Sequence, residues 1–174
     1  MLIPSEILRV IEGEPLQDIY SPGYLDDERL EGLMCFIPAH ETLYLEFQSG
    51  FLKLENISPM DMMTLDFVTE IETHNEFDVV DSDFYIGSVL RLNLVDDSEH
   101  WIDEMTLFFD EDSPGEQGIA VHGMELVLRR GQYIFLDPYG LTGIMIQQSR
   151  EQRDQRLEWL SRVIEIHSSS WKRG

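Results

Sequence analysis

Apolar and polar residues alternate along ETLYLEFQSGFLKLENIS, residues 41–58, with apolar side chains at every second position on both sides of Ser49-Gly50. This is the period of a β-strand that buries one face and leaves the other in water. With Ser49-Gly50 as a two-residue loop, the pattern predicts a β-hairpin in which Phe47 faces Leu52.

The same period recurs further along the chain in short segments separated by turn-forming residues. These segments are residues 65–72, 88–95, 101–109, 118–128, 132–137 and 144–148. In residues 88–95 the pattern places Leu90, Leu92 and Leu94 inward. Strands at this spacing predict a mainly β (α+β) fold, an antiparallel β-sandwich or a strongly curved sheet or barrel, with one C-terminal helix packed on it.

The C-terminal part of the chain changes to a helical period, with apolar residues at Leu157, Leu160, Val163 and Ile164. Ser149 followed by Gln152 resembles a capping box. The pattern predicts an amphipathic helix over residues 150–166. The remaining segment HSSSWKRG, residues 167–174, is expected to be frayed.

The chain length of 174 residues predicts one domain. Within it, residues 1–40 are expected to form an irregular N-terminal segment, residues 41–148 the antiparallel β core and residues 149–167 the C-terminal helix. Near the N-terminus Ser5 could cap a short helix that Gly13 ends, and a strand is nearly as consistent with the pattern. Residues 20–32 have the composition of a loop.

Charge is segregated along the chain, whose formal net charge is −22. Residues 1–128 carry four basic and twenty-nine acidic side chains, a net of −25, whereas residues 129–174 carry eight basic and five acidic ones, a net of +3. Lys and Arg side chains neutralise phosphates in nucleic-acid complexes and attract anionic lipids. We therefore expect neither nucleic acid nor a membrane surface as a partner, and a basic protein is favoured.

Several features favour a cytoplasmic location. Residues 1–18 lack the basic and then apolar pattern of a signal peptide, and no apolar run is long enough to span a bilayer. Cys35 is the only cysteine and lies in the apolar run GLMCFIP. It is expected to be a small core residue that forms no internal disulfide.

Two acidic groups are the predicted partner-binding residues. We call Asp96, Asp97, Glu99 and Trp101 the 96–101 group, and Asp110, Glu111, Asp112 and Glu116 the 110–116 group. The second group flanks a Ser-Pro-Gly turn and is expected to form a hairpin tip. An exposed Trp101 among carboxylates would be a suitable contact for a cationic partner.

Metal binding at the 110–116 group is not favoured. Numbered from Asp110, an EF-hand loop would need a bidentate acid at position twelve and a ligand at position five, where the chain has Val121 and Pro114. Clustered acids on a hairpin tip are more often solvated surface than a metal site. We predict no metal site, no cofactor and no catalytic residue, because no nucleotide-binding or nucleophile motif occurs.

His122 lies in the segment GIAVHGMELVL, where strand alternation places it on the face of Met124 and Leu126 and points Glu125 the other way. A buried structural histidine, in an environment separate from the acidic tip, is favoured over a metal ligand. An alternative hypothesis groups Asp103, His122 and Glu125 as polar residues of a pocket between sheet and helix.

The function that these patterns favour is a cytoplasmic interaction protein, without enzymatic activity, whose acidic surface binds a basic partner. An immunity or inhibitor protein against a cationic toxin, or a nucleic-acid mimic, would be concrete versions. The alternative is a β domain that binds a small molecule or carbohydrate in a pocket between sheet and helix, either as a binding protein or as an enzyme. A third interpretation is that the acidity only confers solubility. The C-terminal helix or a sheet edge is where a second copy would dock as a homodimer.

Overall fold

The computed structural model describes residues 3–26, 35–39, 41–57, 61–71, 84–89, 99–111, 119–140 and 143–174. Its helices are α1 (Ser5–Gly13) and α2 (Arg150–Leu160). Its strands are β1 (Asp18–Asp26), β2 (Cys35–Pro38), β3 (Thr42–Phe47), β4 (Gly50–Ile57), β5 (Met62–Val68), β6 (Phe84–Ser88), β7 (Ile102–Phe109), β8 (Ile119–Val121), β9 (Gly123–Leu128), β10 (Tyr133–Gly140), β11 (Gly143–Gln147) and β12 (His167–Lys172).

The strands form two antiparallel sheets. Sheet 1 has the order β2-β1-β3-β4-β5-β8, in which β2 and β3 pair with one edge of β1 and β6 pairs with its opposite edge. Sheet 2 has the order β11-β10-β9-β7-β12. Among the described strands neither sheet closes into a barrel. The predicted mainly β antiparallel fold with a C-terminal helix is therefore confirmed, and the barrel alternative is not adopted.

Alternate residues of both sheets build the core, because successive side chains of a strand point to opposite faces. One buried apolar cluster combines Leu43, Leu45, Leu52 and Leu54 of sheet 1 with Met105, Leu107, Met124, Leu126, Ile134 and Leu136 of sheet 2. Helix α1 adds Ile7, Val10 and Ile11 to the same cluster. A second, smaller cluster of Phe108, Tyr133 and Phe135 lies on the other face of sheet 2, with Leu157 of α2 packed against it.

The predicted hairpin of residues 41–58 is present as β3 and β4, but its register differs by two residues. Phe47 pairs with Gly50, so the loop is Gln48-Ser49. A side chain at Gly50 would place its Cβ 2.6 Å from the backbone oxygen of Val68 on β5, and its φ is +150°. Glycine is thus required at the first position of the strand and not in the turn. A shift of two residues keeps every side chain on its predicted face.

Three predicted strands appear where the alternation placed them, as β7, β10 and β11. The predicted strand 65–72 corresponds to β5, which starts earlier, at Met62. The inward residues Leu90, Leu92 and Leu94 of the predicted strand 88–95 lie outside the described residues.

The predicted strand 118–128 is two strands in two sheets. β8 pairs with β5 in sheet 1, and β9 pairs with β7 and β10 in sheet 2, so the chain changes sheet at His122. A Cβ at Gly123 would lie 2.8 Å from ring atoms of Phe135. Glycine therefore allows the backbone to pass close to that ring immediately after the corner.

The described residues among the first forty form a helix and two strands, whereas the sequence predicted an irregular segment. Ser5 begins α1, with Pro4 as the N-cap residue and no side-chain capping bond. β1 runs through YSPGYLD, which was predicted to be loop. It pairs with β3 and β2 on one edge and with β6 on the other, and the Pro22 carbonyl accepts a hydrogen bond from Ala39. These partners lie far along the chain and leave no local signal.

The C-terminal segment also differs from the prediction. α2 ends at Leu160, because the chain turns over residues 161–164, and Val163 is 68% exposed. Ser149 is the N-cap residue of α2, but its side chain makes no capping hydrogen bond. The tail predicted to be frayed forms β12, an edge strand of sheet 2 paired with β7. No helix in the described residues is long and apolar enough to cross a membrane.

Candidate functional site

The two predicted acidic groups lie at opposite ends of β7. Asp96, Asp97, Asp112 and Glu116 lie outside the described residues. Glu99 and Trp101 precede β7, and Asp110 and Glu111 follow it. At about 3.3 Å per residue, the nine steps from Trp101 to Asp110 span about 30 Å. The described members therefore do not form one compact patch.

The indole of Trp101 is already in contact with cations of the same chain. The guanidinium carbons of Arg129 and Arg173 lie 5.4 and 4.8 Å from its ring centroid, within the range of cation–π interaction. Its Nε1 donates a hydrogen bond of 3.0 Å to Glu99. The expected contact with a cationic partner would thus compete with two arginines that the fold itself supplies.

Asp103, His122 and Glu125, the residues of the alternative pocket, have separate partners. Asp103 lies 3.5 Å from Arg129 and 3.7 Å from Arg173. Glu125 points to the face of sheet 2 that α2 covers, as strand alternation predicts, and its carboxylate binds Arg153 of that helix. In the described part of the chain, no ion pair or hydrogen bond joins any two of these three residues.

His122 is buried at the corner between the sheets, and both of its ring nitrogens meet acceptors. Nδ1 lies 3.1 Å from the backbone oxygen of Asp61, and Nε2 lies 3.1 Å from Oδ2 of Asp110. The prediction of burial is confirmed, and the predicted separation of His122 from the acidic tip is wrong for Asp110.

Helix α2 docks on sheet 2 through arginines at every third position. Arg150 lies 5.4 Å above the ring of Tyr133, and Arg153 binds Glu125. Arg156, three residues after Arg153, pairs with Asp137 of β10. Residues three apart lie on one side of a helix, so the polar spacing of REQRDQR was the available signal. The apolar residues at helical spacing predicted the helix but not this arginine interface.

The pair of Asp137 and Arg156 is the most deeply buried ionic contact that the described side chains form. Asp137 is 1% and Arg156 7% exposed. Arg156 Nε donates to Asp137 Oδ1 at 3.1 Å, and Gln147 and the Tyr139 backbone N–H also donate to this carboxylate. Burial raises the pKa of Asp137 above its usual value, and these hydrogen bonds oppose that increase.

Arg156 also connects this pair to the His122 corner. Its Nη2 lies 3.9 Å from the carboxylate of Asp61, the residue whose backbone oxygen contacts His122. Asp61 has a φ of +52°, a left-handed conformation that is uncommon for residues other than glycine. Neither Nη1 nor Nη2 of Arg156 has a hydrogen-bond partner among the side chains described here.

The ring of Tyr133 lies in the same interface, with its hydroxyl buried and without a hydrogen-bond partner in the described structure. Burial, together with the charge of Glu125, raises the pKa of this phenol to about 12. A folded-state pKa above the unfolded value stabilises the native state at lower pH, and this contribution is lost as the pH rises from about 10 to 12.

We expect Tyr133→Phe to stabilise the protein at neutral pH by about 1 kcal/mol, because the unpaired hydroxyl is removed and the ring is kept. Above pH ~10 the wild type should lose stability more steeply than the variant. Urea unfolding of both proteins across this pH range measures the difference. Tyr85→Phe, at an exposed position of sheet 1, is the control. Equal pH slopes in wild type and Tyr133→Phe would contradict the expectation.

Two exposed aromatic rings lie directly over the buried guanidinium. Arg156 Cζ is 4.2 Å from the ring centroid of Tyr139 and 4.7 Å from that of Trp159, and the two centroids are 5.2 Å apart. Tyr139 and Trp159 are 49% and 42% exposed. Neither residue was among the predicted site residues, because exposure of an aromatic ring depends on the tertiary structure.

Across the described ranges, no group of three His, Cys, Asp or Glu side chains is placed to hold a metal ion. No protein-family model, curated protein or solved structure matches the chain.

Proposed function

We propose that this protein is an interaction protein, without enzymatic activity, whose acidic surface binds a basic protein partner, as an immunity or inhibitor protein does. The observation that carries the proposal is the charge of residues 1–128, in which twenty-nine acidic and only four basic side chains give a net charge of −25. A field of one sign over most of the chain attracts a partner of the opposite sign and accelerates its association.

The pairing of the basic residues supports this proposal. Most of the basic residues lie in residues 129–174, and several of them bind carboxylates of the same chain: Arg129 and Arg173 with Asp103, Arg153 with Glu125, Arg156 with Asp137, Arg162 with Glu158 and Lys172 with Glu104. Six of the eight basic residues in residues 129–174 are thus paired with carboxylates of the same chain, so the positive charge of the C-terminal part is mostly neutralised within the molecule. It adds little free cationic surface to oppose the acidic field.

Many carboxylates of the described residues are exposed to solvent: Glu6, Glu12, Glu41, Asp66, Glu70, Glu99 and Glu111 in residues 1–128 alone. Holding so many like charges near each other destabilises the compact state. A partner with Lys and Arg side chains would relieve this repulsion on binding. This is a reason to prefer a binding role over acidity that only confers solubility.

The alternative of a small-molecule or carbohydrate site between sheet and helix is less well supported. Asp103, His122 and Glu125 each have separate partners. The space between sheet 2 and α2 holds Phe108, Tyr133 and Phe135 packed with Leu157. The cytoplasmic location and the homodimer remain predictions.

The test is affinity capture from a lysate of the cells that express the protein, at about 0.02 M and about 0.5 M salt. We expect one or a few proteins of high isoelectric point to be retained at low salt, with a Kd at least tenfold weaker at high salt. A variant with Glu41→Gln, Glu70→Gln and Glu99→Gln should associate more slowly.

Arg9→Gln is the matched control, because it changes an exposed residue and removes a positive charge. It should bind the retained protein at least as tightly as the wild type. Capture of no basic protein at low salt would overturn the proposed function, and so would a retained protein whose Kd does not depend on salt.

A further inference from the structure

Two exposed aromatic side chains are neighbours where α2 packs on sheet 2, and an exposed methionine lies on the same face of that sheet. The large hydrophobic residues exposed in the described structure are Tyr85, Tyr139, Met145, Trp159 and Val163. Tyr139 and Trp159 are neighbours, and Met145 of β11 pairs with Asp137 of β10, two residues before Tyr139 and on the same face. We call Tyr139, Met145 and Trp159 the aromatic patch.

The two rings of the aromatic patch, those of Tyr139 and Trp159, are held in place by contact with Arg156. Arg156 lies under both of them, and Asp137, Gln147 and the Tyr139 backbone fix the position of this arginine through a shared carboxylate. Side chains that are already ordered lose little conformational entropy on binding. Tyr and Trp that are rigid and half exposed are the residue types that dominate binding energy at protein interfaces.

The charge of the molecule decides between possible occupants of the aromatic patch. A second copy of the chain would carry the same formal net charge of −22, so the two copies would repel each other. The guanidinium of Arg156 is balanced by Asp137, and the carboxylate of Asp61, 36% exposed, lies 3.9 Å from Arg156 Nη2. The negative charge of the whole chain therefore favours a partner with Lys or Arg side chains, which can also stack on exposed aromatic rings through cation–π contact.

We propose that the aromatic patch is the contact at which this protein binds its basic partner, with Lys or Arg side chains of the partner stacked on Tyr139 and Trp159. This inference rests on the proposed function and adds to it the place of binding. It also differs from the sequence-based prediction, since the aromatic contact lies on β10 and α2 and not at Trp101. Tyr139 and Trp159 share one arginine and are exposed, whereas Trp101 is half-buried and contacts both Arg129 and Arg173.

The experiment uses the basic protein that the wild type retains at low salt, identified by mass spectrometry and purified. We expect Trp159→Ala and Tyr139→Ala each to weaken its Kd about thirty-fold or more, the range of interface hot spots. Because neither substitution changes the charge, the loss should appear in koff, whereas kon should stay within about threefold. Surface plasmon resonance separates the two rates.

Tyr85→Ala is the matched control, because Tyr85 is 41% exposed and lies on β6 of sheet 1. It should bind within about twofold of the wild type, and Trp159→Phe should keep most of the affinity. Circular dichroism and thermal melting of each variant verify that the fold is retained.

If the wild type retains no basic protein, the proposed function fails and this inference fails with it. If a basic protein is retained but Trp159→Ala and Tyr139→Ala bind it as the wild type does, the inference alone is overturned. An equal loss with Tyr85→Ala would also overturn it. The inference would also be overturned if sedimentation velocity showed a homodimer of the wild type that Trp159→Ala dissociates. The occupant of the aromatic patch would then be a second copy of the chain.

Discussion

Replacing Arg156 with alanine is expected to lower the free energy of unfolding by about 3–5 kcal/mol, because it leaves a buried carboxylate without its counter-charge. Asp137, 1% exposed, would keep only the hydrogen bonds from Gln147 and the Tyr139 backbone. The rings of Tyr139 and Trp159 would also lose the guanidinium on which they rest. Urea unfolding at pH 7 measures the change.

The loss should depend on pH in a defined direction. Burial raises the pKa of Asp137 above its usual value, so the native state binds a proton more readily than the unfolded chain. Protonation of Asp137 therefore favours the folded state at low pH, and this contribution is lost as the pH rises. Once its counter-charge is removed, Asp137 should take up a proton, and Arg156→Ala should be less destabilising near pH 4–5 than at pH 7.

Two comparisons separate the buried pair from arginine substitutions in general. Arg129→Ala removes a half-exposed arginine whose ion pair with Asp103 is solvated, and should cost at most about 1 kcal/mol. In a double-mutant cycle, Arg156→Ala with Asp137→Asn should destabilise by less than the sum of the single changes. Additive losses, or a loss for Arg156→Ala no larger than for Arg129→Ala, would contradict the role assigned to the pair.

Deleting residues 167–174 is expected to lower the free energy of unfolding by more than about 3 kcal/mol, a large part of the roughly 5–15 kcal/mol that stabilises an ordinary domain. The deletion removes β12, which pairs with β7 along its whole length. It also removes Arg173, whose guanidinium donates to the backbone oxygens of Ile11, Glu12 and Ile102. These bonds tie the end of α1 to sheet 2, and each contributes about 1 kcal/mol.

Shorter changes assign this effect to particular contacts. Deleting Gly174 alone should leave the thermal midpoint unchanged, since Gly174 is exposed. Arg173→Ala should destabilise by about 2–3 kcal/mol, because three helix-end and strand carbonyls lose their donor. If the 167–174 deletion has the same thermal midpoint as the wild type, β12 does not contribute to stability, and the tail is frayed as the sequence predicts.

The parts of the fold that were predicted correctly share one property, which is a local pattern. The alternation of apolar residues in β3, β4, β7, β10 and β11 is visible within five to eight positions and needs no knowledge of the partner strand. The predicted hairpin register differed from the observed one by two residues. The observed register brings Gly50 close to the backbone of Val68, and this residue belongs to β5, which comes later in the chain than the hairpin and leaves no signal in the loop sequence.

The candidate site was predicted less well than the fold. The sequence pointed to acidic side chains, and of these the structure pairs Asp103, Asp110 and Glu125 with Arg129, His122 and Arg153. The aromatic patch and its buried arginine were missed, because a Tyr in a strand and a Trp in a helix are more often core than surface. Only the docking of α2 on β10 shows that these two rings are exposed and adjacent.

By itself the sequence determined that the chain forms antiparallel strands with a C-terminal helix, and that most of its length carries charge of one sign. Both are properties of local order and composition. The tertiary structure alone decided that β1 and β12 are strands, that the chain changes sheet at His122, and that α2 docks through Arg153 and Arg156. Each of these depends on partners distant in the chain, and a backbone edge or a buried charge is stable only where the fold supplies that partner.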